Sequence, residues 1–203
     1  MTKERLYIFD TTLRDGAQTQ GVDFSVDDKE KIASALDNLG VDYIEAGWPG
    51  ANPTDTEFFQ KKHKFVNAKL TSFGMTKKTG RSAENDPGLS AILNSNTPAV
   101  CLVGKSWDFH VDIALNISNE ENLKNISDST KHFVRENKEF MFDAEHFFDG
   151  YKNNPQYALS CLKTAYDQGA RWIVLCDTNG GTLPHEITKI ITDVVNTIPG
   201  KYL

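Results

Sequence analysis

Short, mostly apolar runs recur along the chain at intervals of ~30–40 residues, the length of one strand-helix unit. They are Leu6–Asp10, Val41–Gly47, Lys69–Phe73, Ala99–Val103, Glu139–Glu145 and Arg171–Cys176. Each is mostly apolar on both faces, which predicts parallel strands covered by helices rather than antiparallel strands with one wet face. The stretches between them repeat at helical spacing instead. Ser25-Val26-Asp27-Asp28 opens one helix like a capping box, Ile32, Leu36 and Leu39 share its apolar face, and Gly40 stops it. Ala158, Cys161, Leu162 and Ala165 form the inner face of another, closed by Gly169. A last one begins at Thr182, carries Pro184 in its first turn, and shows Ile187, Ile190, Ile191, Val194 and Val195 before Gly200. The stretches 39–45 and 168–174 follow one grammar: helix end, glycine, strand. Six alternations without a linker or low-complexity tract predict one α/β domain, and both a doubly wound sheet and a (β/α)8 barrel fit.

Composition narrows the function classes. A net charge of −6 and the lack of any basic run disfavour nucleic acid and anionic membrane as partners. No apolar segment approaches the ~20 residues needed to cross a bilayer, and Met1-Thr2-Lys3-Glu4-Arg5 has no signal-peptide core. Cys101, Cys161 and Cys176 lie in apolar strand or helix patterns and are expected to be buried free thiols, which suits a cytoplasmic protein.

The chemistry collects at the carboxyl ends of the predicted strands. The first delivers Asp10, Arg14 and Asp15 within the run Asp10-Thr11-Thr12-Leu13-Arg14-Asp15-Gly16-Ala17-Gln18-Thr19. The second delivers Glu45, the fifth Asp143, Glu145 and His146, and the sixth Asp177, Thr178 and Asn179. An Arg beside an Asp at a strand mouth sets a fixed positive charge next to a hard oxygen ligand, which suits a divalent metal and a developing oxyanion. Acidic residues at strand ends also cap the following helix, and Asp55 and in part Asp177 fit that role. Glu45 does not, since Ala46-Gly47-Trp48-Pro49-Gly50 is no helical first turn. Gly104-Lys105-Ser106 ends like a phosphate loop, but the residues before it are strand, so a solvated Lys105 is expected ahead of one that faces an anionic ligand. His63, His110 and His132 read as lone surface histidines. With no CxxC, HExxH or HxH in the chain, Asp15 stands as a single ligand.

The run Asp10–Gln18 resembles the opening signature of the 2-isopropylmalate, homocitrate and citramalate synthase family, in the wider group of metal-dependent barrels that includes hydroxymethylglutaryl-CoA lyase. The stretches Gly47–Asp55, Gly104–Asp108 and Phe147–Lys152 are most similar to the citramalate synthase branch. The resemblance implies a TIM (β/α)8 barrel, incomplete here at about six strand-helix units, with residues 1–203 as the N-terminal part of the catalytic barrel. It implies Arg14 and Glu145 as catalytic residues, Asp15 as a metal ligand, and substrate contacts from Thr178, Glu45, Gln18 and Asp177. Family members continue into a seventh strand whose His-x-His pair completes the metal site. The chain is therefore expected to be a piece of a longer protein and to be inactive alone, with exposed strand edges that favour association.

The activity so implied is an acyltransferase reaction, a Claisen condensation of acetyl-CoA with a 2-oxo acid. The expected reaction converts pyruvate to citramalate on a route to isoleucine, with a divalent metal (Mg, Mn or Zn) and a homodimer at full length. Trp48 suggests a pocket fitted to a small 2-oxo acid. Two alternatives stand beside it: a carbon-carbon lyase or aldolase on the same barrel, and a non-catalytic truncated fragment.

Overall fold

The computed structural model describes residues 5–203, which divide into two compact units. The first holds the described residues up to Gly74 together with Ala91–Val100, and the second holds Met75–Ser90 and Cys101–Leu203. The division falls inside two strands and one helix, where no change of composition marks it.

The first unit runs β1 (Phe9–Asp10), α1 (Val26–Leu39), β2 (Tyr43–Glu45), α2 (Pro53–Gln60) and β3 (Lys69–Met75, up to Gly74). Its strands are parallel and follow chain order, with Asp10 opposite Ile44 and Glu45 opposite Thr71. The capping box of α1 forms as the sequence predicts: the Ser25 hydroxyl accepts from Asp28 N at 3.2 Å, and the Asp28 carboxylate accepts from Ser25 N at 3.1 Å. Gly40 ends the helix at φ 88°, a left-handed conformation that glycine adopts without a Cβ clash. Leu13, Ala33, Ile44, Ala46 and Phe58, all fully buried, form the core between sheet and helices.

One buried charge organises this unit. The Lys29 ammonium, on α1, donates to Leu13 O and Ala46 O at 2.9 Å each and pairs with the Asp55 carboxylate. The Asp55 carboxylate also accepts from Trp48 N at 2.8 Å and Asn52 Nδ2 at 2.9 Å. Asp55 is therefore not the cap of α2. Asn52 is, its side chain accepting from Asp55 N at 2.7 Å, while the Asp55 carboxylate turns inward to the lysine. Gly47 sits at φ 147°, and a Cβ there would lie 2.5 Å from the Asp55 carboxyl carbon, so only glycine lets the β2 loop pass.

α3 (Pro87–Asn94) has residues in both units. The second unit continues with β4 (Ala99–Lys105, from Cys101), α4 (Asp108–His110) extended by a π turn, α5 (Asn119–Arg135), β5 (Glu139–Glu145), α6 (Phe147–Asn153), α7 (Pro155–Asp167), β6 (Trp172–Leu175) and α8 (Pro184–Val195). Its strands again follow chain order, and β5 and β6 are parallel with Asp143 opposite Val174. Ala158, Cys161, Leu162 and Ala165 of α7 are all fully buried, as their spacing predicts.

The first predicted strand departs from expectation. Only Phe9–Asp10 pair, and Leu6 and Ile8 are 81% and 48% exposed. β1 has β2 as its one strand neighbour among the described residues, so no strand covers Leu6 and Ile8 from the other side. α8 begins at Pro184 rather than Thr182, with Ile190 and Val194 buried and Val195 exposed. Cys101 and Cys161 are buried, whereas Cys176, just beyond β6, is only half-buried.

Removing one partner of a buried ion pair strands the other charge. Lys29→Met is expected to lower unfolding free energy by ~3–5 kcal/mol, read as a lower urea midpoint at unchanged slope. Adding Asp55→Asn should recover part of the loss, because no buried carboxylate is then left unpaired. A Lys29→Met chain as stable as the wild type would contradict this.

Candidate active-site residues

In the first unit the loop after β1 carries the Arg-Asp pair. Arg14 N and Gly16 N both donate to Thr11 O at 3.1 Å, so the loop folds tightly back on itself. The Arg14 side chain is 15% exposed and its Nε donates to Glu45 Oε2 at 2.5 Å. Nη1 donates to Asp15 Oδ1 at 3.0 Å, and the guanidinium lies over the Phe73 ring, 3.9 Å from its centroid. The Glu45 side chain, 1% exposed, supplies the charge that makes a nearly buried guanidinium tolerable. Arg14 is thus held by carboxylates from two segments and by an aromatic face from β3.

A cavity of ≈ 360 Å³ opens beside it, with Arg14, Gln18, Trp48 and Asn52 among its walls. Trp48 packs edge-on against Phe73 at 5.6 Å, so the ring beneath Arg14 is itself wedged. Gln18 is exposed at the mouth, and the Asp15 side chain is 64% exposed. Among the described residues no group of three or more His, Cys, Asp or Glu could hold a metal ion. Asp15 offers one carboxylate, which is a ligand and not a site.

In the second unit Lys105, at the end of β4, pairs with Glu145, at the end of β5, their side chains 18% and 28% exposed. Lys105 is thus no solvated lysine. The Thr178 hydroxyl, exposed in the turn after β6, accepts from His146 N at 2.9 Å. The Asp177 carboxylate accepts from Thr182 N at 3.1 Å and from its hydroxyl at 2.8 Å, closing the loop before α8. Partial burial raises its pKa, but the two Thr182 bonds together with the Lys152 charge and Gly181 N hold the carboxyl below its ordinary 3.8.

The structure brings Arg14, Asp15 and Glu45 together in one unit, with Gln18 on the same cavity. It brings Glu145 close to Thr178 through His146 in the other. Sequence reasoning missed Phe73, Lys105, His110 and Asp149. His110 is no lone surface residue: its ring lies 4.7 Å from Trp107 and 4.5 Å, edge-on, from His146. His146 Nδ1 in turn meets Asp149 Oδ2 at 3.1 Å, which also accepts from Asn179 Nδ2 at 2.9 Å. His63 stacks on Phe58 at 4.2 Å, and His132 packs against Phe133 at 5.2 Å, so neither of these is a lone surface group. A periodic scan cannot see the whole cluster, because His110, His146 and Asn179 are brought together from three separate segments.

Parallel strands whose polar residues gather just past their carboxyl ends are the arrangement of α/β barrel enzymes. The solved structure of hydroxymethylglutaryl-CoA lyase from Pseudomonas aeruginosa superposes with a TM-score of 0.80 at 18% identity, over 98% of this chain and 66% of that one. The fold is that of the TIM-barrel class, of which the described residues hold six strands. The chain belongs to the HMGL-like family, whose model matches residues 5–203. It is 54% identical over 193 residues to the (R)-citramalate synthase of Aquifex aeolicus, and 49% identical over 203 residues to that of Sulfolobus acidocaldarius. The 2-isopropylmalate synthase of Sediminispirochaeta smaragdinae is more distant, at 32% over 195 residues. These alignments cover 94%, 99% and 96% of this chain but 37%, 39% and 37% of the relatives.

Burial and the neighbouring His146 push the His110 imidazole below its ordinary 6.5. A proton bound less tightly in the folded state means that this stability is fully present above pH 6.5 and falls as pH drops through the folded value. NMR titration of the His110 ring should give a midpoint below 6.5, and His110→Asn should flatten stability between neutral and mildly acidic pH. A midpoint at or above 6.5 would show that the nearby Glu145 and Asp149 outweigh burial and His146 at this ring.

Proposed function

We propose that the protein is an acyltransferase of the citramalate synthase type, condensing acetyl-CoA with a small 2-oxo acid, pyruvate first among them. The single observation that carries this reading is the pre-set guanidinium: Arg14 is clamped by Glu45 and Asp15 and backed by Phe73 beside an open cavity. The family membership and the citramalate synthase relatives point to the same chemistry.

In a Claisen condensation a base takes a proton from the thioester methyl group and the resulting carbanion attacks the 2-oxo carbon. The carbonyl oxygen then becomes an alkoxide. In this reading Arg14 faces that oxygen. Its charge needs no reorganisation during the reaction, because its partners already fix it, and such a donor contributes ~3 kcal/mol. Thr178 orients the substrate carboxylate through its hydroxyl. Glu145 shapes the pocket and handles a proton, and Glu45 and Gln18 border the substrate. Water then cleaves the thioester and releases CoA. Asp15 would supply one ligand to a divalent metal (Mg, Mn or Zn), whose site the described residues do not complete. Residues 1–203 form the N-terminal part of the catalytic barrel, and the full-length protein is a cytoplasmic homodimer.

Two outcomes follow for the full-length protein, assayed by acetyl-CoA-dependent CoA release with a panel of 2-oxo acids. Pyruvate should turn over faster than 2-oxoisovalerate or 2-oxoglutarate, and the reverse order would reject the pyruvate assignment. Arg14→Lys should lower kcat far more than it raises KM. Lysine keeps the charge, but it cannot engage Glu45 and Asp15 with a planar fork while stacking on Phe73. A near-wild-type kcat would make Arg14 structural.

A further inference from the structure

Glu145 is gripped at both ends by two consecutive residues of the neighbouring strand end. The Lys105 ammonium pairs with its carboxylate, and the Ser106 hydroxyl donates to its main-chain carbonyl at 2.7 Å, with Ser106 N donating to the same oxygen at 3.4 Å. The grip is built from behind. The carbonyl of Lys105 accepts from Asn122 Nδ2 at 2.8 Å, and that fully buried amide also donates to Tyr157 Oη at 2.8 Å. The base of the lysine side chain is thereby tied to α5 and α7. Gly104 and Gly150 complete the seat: a Cβ on the first would lie 2.6 Å from the Phe142 ring, and one on the second 2.5 Å from Ser106 O.

A lysine needed only for solubility has no use for such a foundation. An ion pair that is still partly exposed adds little to stability, so stability does not account for it either. What the arrangement does provide is one fixed orientation for the Glu145 carboxylate, with Oε2 engaged by Lys105. We propose that Lys105 is a positioning residue: it acts on the reaction only through Glu145, by holding that carboxylate in its working rotamer. The inference rests on the synthase reading given above.

A double-mutant cycle in the full-length protein tests it, using CoA release from acetyl-CoA and pyruvate. Lys105→Met should lower kcat ~10–100-fold, since a catalytic group displaced by about an ångström loses that much. KM should change less than ~3-fold, and the melting temperature should fall by less than ~3 °C. Lys105→Arg, which keeps a donor on the carboxylate, should restore most of kcat. The decisive arm is Glu145→Gln: in that background Lys105→Met should cost less than ~2-fold more, because its target is already gone. Additive losses across the cycle, or a Lys105→Met loss confined to KM, would overturn the inference while leaving the synthase reading intact. A wild type that releases no CoA with any 2-oxo acid would overturn both together.

Discussion

The first unit depends on the need to satisfy one buried ammonium. Taking a lysine charge out of water is tolerable only if its donors all find acceptors, and Lys29 finds them on three separate segments: the β1 loop, the end of β2 and helix α2. Two of those acceptors, Leu13 O and Ala46 O, belong to the residues adjoining Arg14 and Glu45. The contact between the guanidinium and the buried glutamate is therefore braced from below, through the main-chain carbonyls next to each of them. Gly47 follows from the same constraint, because the carboxylate that neutralises the lysine occupies the volume a side chain would need.

The second unit solves a similar problem with main-chain groups. Carbonyls at the ends of β4 and β5 are met by side chains, Asn122 on Lys105 O and Ser106 on Glu145 O, the second also accepting from Ser106 N. The polar residues around these strand ends thus fix the backbone that carries Lys105 and Glu145. Asp177 shows the competition most directly, since both its oxygens are engaged by Thr182.

How much of this was legible in the sequence depended on whether a residue's role is local. β5 occupies Glu139–Glu145 as its apolar run predicts, and the capping box of α1 needs only four consecutive residues. The shared grammar of 39–45 and 168–174 is real. Gly40 and Gly169 both adopt positive φ, and the next residue in each case bonds back to the helix, Val41 N to Leu36 O and Ala170 N to Ala165 O. The strand-end carboxylates were also visible, because each closes its strand or lies within a few residues of its end. The partners of those carboxylates were not. Phe73 under Arg14 and Lys105 on Glu145 are meetings between segments far apart in the chain, and local patterning carries no record of them. Leu6 and Ile8 failed for a related reason: an apolar run reports that a strand can be buried, not that a neighbour covers it.

The three tryptophans turn these packing arrangements into optical signals. Trp48 lines the cavity beside Arg14, Trp107 lies against His110 and 5.9 Å from His146, and the Arg171 guanidinium sits 3.6 Å above the Trp172 ring. Each indole therefore samples a different electric field: a solvent-filled cleft, a pair of imidazoles, and a permanent cation. The intrinsic fluorescence of this chain is a composite of three separately addressable reporters, and single Trp→Phe replacements would assign each emission component to its own neighbourhood without any added dye.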